Sequence, residues 1–175
     1  MNKYIKDNYD VKKDTLEWAI LKSSAYFKNE YKKIQSETEI IDSYIECMNS
    51  INEQIKKDFR IGMCILKTYS LCIPYLFLCR HTIELILKKS IENKSNKSPI
   101  GHDNMKLWTK CKELYYDKNL SYYDELINAI NFLDNNGEKY RYTKDINGND
   151  FDNKPLFLNV ELLNKDINKL KSELL

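Results

Sequence analysis

A chain of 175 residues is long enough to bury a core of its own without metal or disulfide support, and one domain over 1–175 is expected. Its 42% hydrophobic and 31% charged residues, with only 4 Gly and 3 Pro, exclude a disordered polypeptide and a loop-rich β fold. With 28 Lys and Arg against 26 Asp and Glu, the net charge of +2 excludes a chain that is basic throughout, so any nucleic-acid or membrane surface must be a local patch.

The first residues, MNKYIKDNYDVKKD, are polar and carry no apolar signal segment, which makes the cytoplasm the expected location. From about Asp14 to Ile34, Leu16, Trp18, Ile20, Leu21, Ala25, Tyr26, Phe27 and Tyr31 fall on a broad face and predict a first helix. A second follows Ser36-Glu37-Thr38, where Ile41, Tyr44, Ile45, Met48, Ile51 and Ile55 keep the three-and-four spacing. The block from Ile61 to Asn93 is apolar all round before Pro74 and amphipathic after it, which predicts a central helix or helix pair. Pro74 marks either a fresh start or a bend. Ile61 to Cys79 is nearly bilayer length. Lys67, Pro74 and the Arg80-His81 pair mark it as core, and no membrane is expected.

The five cysteines, Cys47, Cys64, Cys72, Cys79 and Cys111, are an odd number without zinc-like spacing, so reduced, buried thiols are expected. Residues 93–101, NKSNKSPIG, read as a loop. A short helix from Asp103 carries Leu107, Trp108, Cys111 and Leu114, and Ser121 offers an N-cap to the next, with Leu126, Ile127, Ile130 and Leu133. Asn136-Gly137 and Asn147-Gly148 predict tight turns around residues 139–144, in a hairpin or an extended loop. Val160, Leu163, Ile167, Leu170 and Leu174, capped by Asn159, predict a terminal amphipathic helix. The expected architecture is all-α: an antiparallel helical bundle of about five to six helices, with a small loop or hairpin insertion near 134–156.

Three arginines and two histidines stand out against a lysine-dominated basic complement. Arg80 and Glu84 are four apart, as are Glu84 and Lys88, and His81 and Glu84 are three apart, so these side chains share about one helix face. They can line a groove approached by His102 and Asp103 at the start of the following helix and by Arg141 and Tyr142. Such a cluster suits a phosphate or an RNA backbone. The competing reading is an exposed stripe of helix ion pairs, each worth about 0.2–0.5 kcal/mol, with Asp103 a helix cap and Arg141 propped by tyrosines at a turn. His81 and Glu84 with His102 or Asp103 make no complete metal-ligand set, so neither metal nor cofactor is expected. Cys79 and His81, two apart, do not face each other as a nucleophilic pair.

The stretch from Arg80 to Lys88, RHTIELILK, then Gly101-His102-Asp103, then Tyr140-Arg141-Tyr142 before Asp145, resembles the HEPN-type helical domains of bacteria and archaea over roughly residues 60 to 150. The resemblance implies an antiparallel bundle, commonly dimeric, of the kind found in toxin–antitoxin pairs, antiphage defence and RNA-cleaving effectors. Active ribonucleases of that superfamily usually carry an Arg, four to six residues and then a His. Here Arg80 is followed at once by His81, and His102 lies far beyond the usual spacing. The chain is therefore expected to be a nucleotide-, RNA- or partner-binding regulatory module, as a homodimer or with a protein from an adjacent gene. The alternatives are a metal-independent endoribonuclease with a composite site of Arg80, His81 and His102, and a noncatalytic structural interaction protein. Convergence of His81 with His102 and Arg141 would favour the first two.

Overall fold

The computed structural model describes residues 36–60, 65–142, 144, 147–149 and 158–175; the helix expected at Asp14 to Ile34 lies outside them. Helix α1 spans Glu37–Arg60 and opens with Glu37 and Glu39 in its first turn, where the helix dipole favours carboxylates. Its inward stripe is Ile41, Ile45, Met48 and Ile55, all buried, as the periodicity predicts. Helix α2, Ile65–Ser95, is the longest and packs against α1, α3 and α5.

Pro74 lies inside α2, so neither half is a separate helix. An interior proline costs about 3 kcal/mol because it has no N–H for the preceding turn and crowds it. Fully buried Ile83, Ile86 and Leu87 farther along α2 each return about 1.5–3 kcal/mol. The segment Ser70–Ser95 is also long and apolar enough to cross a membrane by length and composition, and 44% of its most apolar window is buried within this fold. Asn96, at φ 54, ends α2 in the left-handed region, and its N–H reaches the Glu92 carbonyl at 2.8 Å.

Helix α3, Asn104–Leu114, is capped by Asp103, whose carboxylate accepts the N–H groups of Met105 and Lys106. It buries Leu107, Trp108 and Cys111, and the Trp108 Nε1–H donates to Asp124 at 2.7 Å. Ser121 does not cap the following helix. It opens a 3-10 turn, Ser121–Tyr123, and its hydroxyl bonds Asn119 instead; helix α4 then runs Asp124–Leu133 without a side-chain cap. Helix α5, Val160–Leu174, is capped by Asn159 through the Leu162 N–H, as expected, and seats Leu163, Ile167, Leu170 and Leu174 against α1 and α2. Tyr75 of α2 donates its hydroxyl to the Val160 carbonyl at 2.9 Å, holding the start of α5 to the core.

The fold is an all-α helical bundle, with no strand among the described residues. Residues 134–142 form successive turns, with Gly137 at φ 78 and Gly148 at φ 81 in the two turns that the Asn-Gly dipeptides predict. The thiols depart from expectation: of the four described, Cys79 and Cys111 are buried, Cys72 is half-buried and Cys47 is exposed. Cys47 lies on α1 outside the buried stripe of Ile41, Ile45, Met48 and Ile55.

Candidate functional site

The site begins with a polar pair on an otherwise apolar helix. Arg80 is 5% exposed and Glu84 2%, where an amphipathic reading of α2 places them on a solvated stripe. Burial is tolerated because every charge is answered. Arg80 donates through Nη1 to Glu84 Oε2 at 3.2 Å, through Nη2 to the His102 carbonyl at 2.7 Å and through Nε to the Asp134 carbonyl at 3.0 Å. One guanidinium thus ties α2 to the residue before the α3 cap and to the end of α4. Asn104 adds a bond from its side-chain amide to the Arg80 carbonyl.

Glu84 is the hub. Its Oε1 accepts from Lys88 Nζ at 2.9 Å and meets His102 Nδ1 at 2.7 Å, while Oε2 takes Arg80. Burial pushes the carboxyl up, but the bonds from Lys88 and His102 outweigh it and hold Glu84 below the usual carboxylate range. The carboxylate is therefore ionised at neutral pH and can only accept. A neutral His102 must then present Nδ1–H to it, which leaves the Nε2 lone pair for the other edge of the ring. The His102 side chain is 77% exposed, so that edge is open to solvent.

His81, one residue beyond Arg80, is half-buried in an aromatic clasp. Phe77 stacks on it at 5.8 Å and Tyr44 meets it edge-on at 5.1 Å. Burial lowers its pKa against the pull of Glu84, and Arg80, Lys88 and Arg141 lower it further, which keeps the ring neutral near pH 7.

The turn after α4 supplies the opposite wall. Asp134 Oδ1 accepts the N–H groups of Gly137, Glu138 and Lys139 at 2.8, 3.0 and 3.3 Å, winding the chain into a tight loop beneath Arg80. The exposed Arg141 guanidinium turns back onto the Gly137 carbonyl and lies over the Tyr142 ring at 5.2 Å. No carboxylate pairs with Arg141 among the described residues.

Phe77, Arg80, His81, Glu84, His102, Asn136, Gly137 and Arg141 enclose one cleft of about 200 Å3. Of the residues singled out from sequence, Arg80, His81, Glu84, His102 and Arg141 converge there. Lys88 supports the cleft through Glu84. Asp103 spends its carboxylate on the α3 cap, and exposed Tyr142 lies outside the lining, beside Arg141. Sequence reasoning missed Phe77, Asp134 and the lining role of Asn136-Gly137. The Asn-Gly dipeptide signalled the turn, but nothing in the sequence tells that its concave side faces Arg80. Among the described residues no three His, Cys, Asp or Glu side chains gather as a metal-ligand set.

Chemically, the cleft combines the exposed Arg141 guanidinium, a buried Arg80 that is already partnered, a neutral imidazole held by aromatic rings, and a second imidazole oriented by a buried carboxylate. That set can bind an oxyanion and can move a proton at His102 Nε2. No family model, curated protein or solved structure matches the chain.

Proposed function

We propose that the cleft binds a phosphate-bearing ligand, a nucleotide or a segment of RNA, and that the chain works as a HEPN-like binding or regulatory module. The convergence of Arg80, His81, His102 and Arg141, from three separate stretches of chain, on one cleft supports this reading. Buried Arg80 is largely neutralised by Glu84 and Asp134 and shapes the floor, whereas exposed Arg141, which pairs with no carboxylate among the described residues, brings its charge to the rim. An incoming phosphate can take the Arg141 guanidinium in a charge-assisted hydrogen bond.

The test is a titration of the whole chain with inorganic phosphate, AMP and short single-stranded RNA at low and high salt. Binding should weaken with salt and weaken ~10-fold or more in Arg141→Ala, as expected for a hydrogen bond between charged groups. Lys110→Ala, on an exposed α3 position paired with Glu113, should change little. Binding to none of the three ligands at low salt, or an affinity indifferent to Arg141, would sink the reading.

A second reading, a metal-independent endoribonuclease, rests on the 2.7 Å contact between His102 Nδ1 and Glu84, which leaves Nε2 as a base in a cleft that Arg141 also lines. RNA cleavage that survives a chelator and disappears in His102→Ala would establish it. Absence of cleavage with retained RNA binding leaves the binding module.

A further inference from the structure

We propose that His102 is a phosphoryl acceptor: its Nε2 takes a phosphoryl group from a small donor with a good leaving group, a phosphoramidate or an acyl phosphate, and holds it as phosphohistidine. The inference rests on the phosphate-binding reading of the cleft and adds a covalent step to it.

Three features of the site carry it. A histidine acts as a nucleophile only through an unprotonated, accessible nitrogen, and the Glu84 contact at 2.7 Å assigns the proton of neutral His102 to Nδ1. The side chain is 77% exposed, so Nε2 meets an incoming donor without any rearrangement of the bundle. Second, exposed Arg141 lines the same cleft as Arg80, and its guanidinium can take the oxygens of a phosphoryl group as it transfers. Third, the cleft measures about 200 Å3, below the roughly 300–1,000 Å3 of ordinary ligand pockets. It suits a phosphoryl group with a small leaving group.

The step balances. The Nε2 lone pair forms the N–P bond as the bond from phosphorus to the leaving group breaks, and that electron pair departs with the leaving group. With phosphoramidate the leaving group is ammonia. The ring keeps its Nδ1 proton and becomes cationic, so its bond to Glu84 changes from neutral-donor to fully charge-assisted. Glu84 thereby stabilises the product more than the reactant. Lys88 on the same carboxylate oxygen holds Glu84 in place for both states.

His81 is the internal comparison. It lines the same cleft, yet Phe77 and Tyr44 cover it and no hydrogen bond orients its ring toward a carboxylate among the described residues. A donor that reacted with any available imidazole would not distinguish the two.

The experiment treats the full chain with phosphoramidate and follows intact mass, 31P NMR and peptide mapping. One phosphoryl group should appear on His102, labile in acid and stable in alkali. It should form ~10-fold or more faster than on His81 or on His102 of the denatured chain, and more slowly in Arg141→Ala. No gain in the folded wild type, or equal rates at His81 or in the denatured chain, overturns the proposal. A parallel titration of His102→Gln with inorganic phosphate separates the two ideas. Phosphate binding in that variant without phosphoryl transfer in the wild type removes the acceptor role alone, whereas neither binding nor transfer removes the phosphate-binding reading as well.

Discussion

Gly137 lies flat against the Arg80 guanidinium: a Cβ on Gly137 would stand 2.9 Å from both Cζ and Nη1 of Arg80. Its φ of +78 separately disfavours any side chain. Gly137→Ala therefore meets two penalties, a backbone term of about 1–2 kcal/mol and the displacement of a buried ion pair. Gly148, at φ +81, has nothing within 4 Å of its Cβ position, so Gly148→Ala meets only the first. Urea unfolding of both variants should show the larger loss at position 137, accompanied by weaker phosphate binding. Equal losses would mean that Arg80 moves aside without cost.

Removing Arg80 leaves Asp134 buried without its cation and Glu84 with Lys88 as its one remaining basic partner among the described lysines and arginines. Arg80→Ala should cost about 3–5 kcal/mol, and for a chain of this size that lowers Tm by roughly 6–20 °C. Arg80→Lys should recover little, because a single ammonium cannot reach the Glu84 carboxylate and the His102 and Asp134 carbonyls, which the guanidinium engages at once. A lysine variant as stable as the wild type would show that charge alone is needed at this position.

Two groups in the cleft make stability fall with acid. Glu84 and His81 both have folded pKa values below their ordinary ones, so each binds protons more readily in the unfolded chain. Their contributions are complete above the ordinary values and are lost as the pH falls through the lowered ones. For His81 the loss starts near 6.5. His81→Phe preserves an aromatic ring between Phe77 and Tyr44 but cannot titrate. Between pH 7 and pH 5 the wild type should lose more stability than this variant, measured by denaturant unfolding at each pH. Parallel curves would rule out His81 as the source.

Thiol reactivity should follow depth. Burial pushes the Cys79 and Cys111 thiols up, and Ser90 Oγ lies 3.3 Å from Cys111 Sγ. Exposed Cys47 should react with a chromogenic disulfide in the native protein, whereas Cys79 and Cys111 should wait for unfolding. Peptide mapping after brief labelling checks the order, and early modification of Cys79 would contradict the packing of α2 against its neighbours.

The helices were legible where periodicity and caps agree. Ile41, Ile45, Met48 and Ile55 mark the buried face of α1, and Leu163, Ile167, Leu170 and Leu174 that of α5, because spacing of three and four residues leaves little choice of face. Asp103 and Asn159 cap as local chemistry predicts, since a cap needs only its own next turn. Ser121 failed as a cap because Asn119 captures its hydroxyl and a 3-10 turn intervenes, a local competition that residue type alone does not resolve. The shared face of Arg80, Glu84 and Lys88 was legible from their spacing. The burial of Arg80 and Glu84 was not, because it depends on two carbonyls supplied to Arg80 from 22 and 54 residues away.

By itself, then, the sequence determined an all-α chain, the positions of its helices from Glu37 onward, two caps, two Asn-Gly turns and the residues with chemistry to offer. These follow from interactions within a few positions of one another, where backbone geometry dictates the neighbours. Only the tertiary structure decided that Pro74 sits within one continuous helix, that Arg80 and Glu84 are interior rather than solvated, and that His102 and Arg141 line one cleft with them. Those outcomes turn on which distant donors and acceptors replace water around a buried charge, and packing alone brings such groups together.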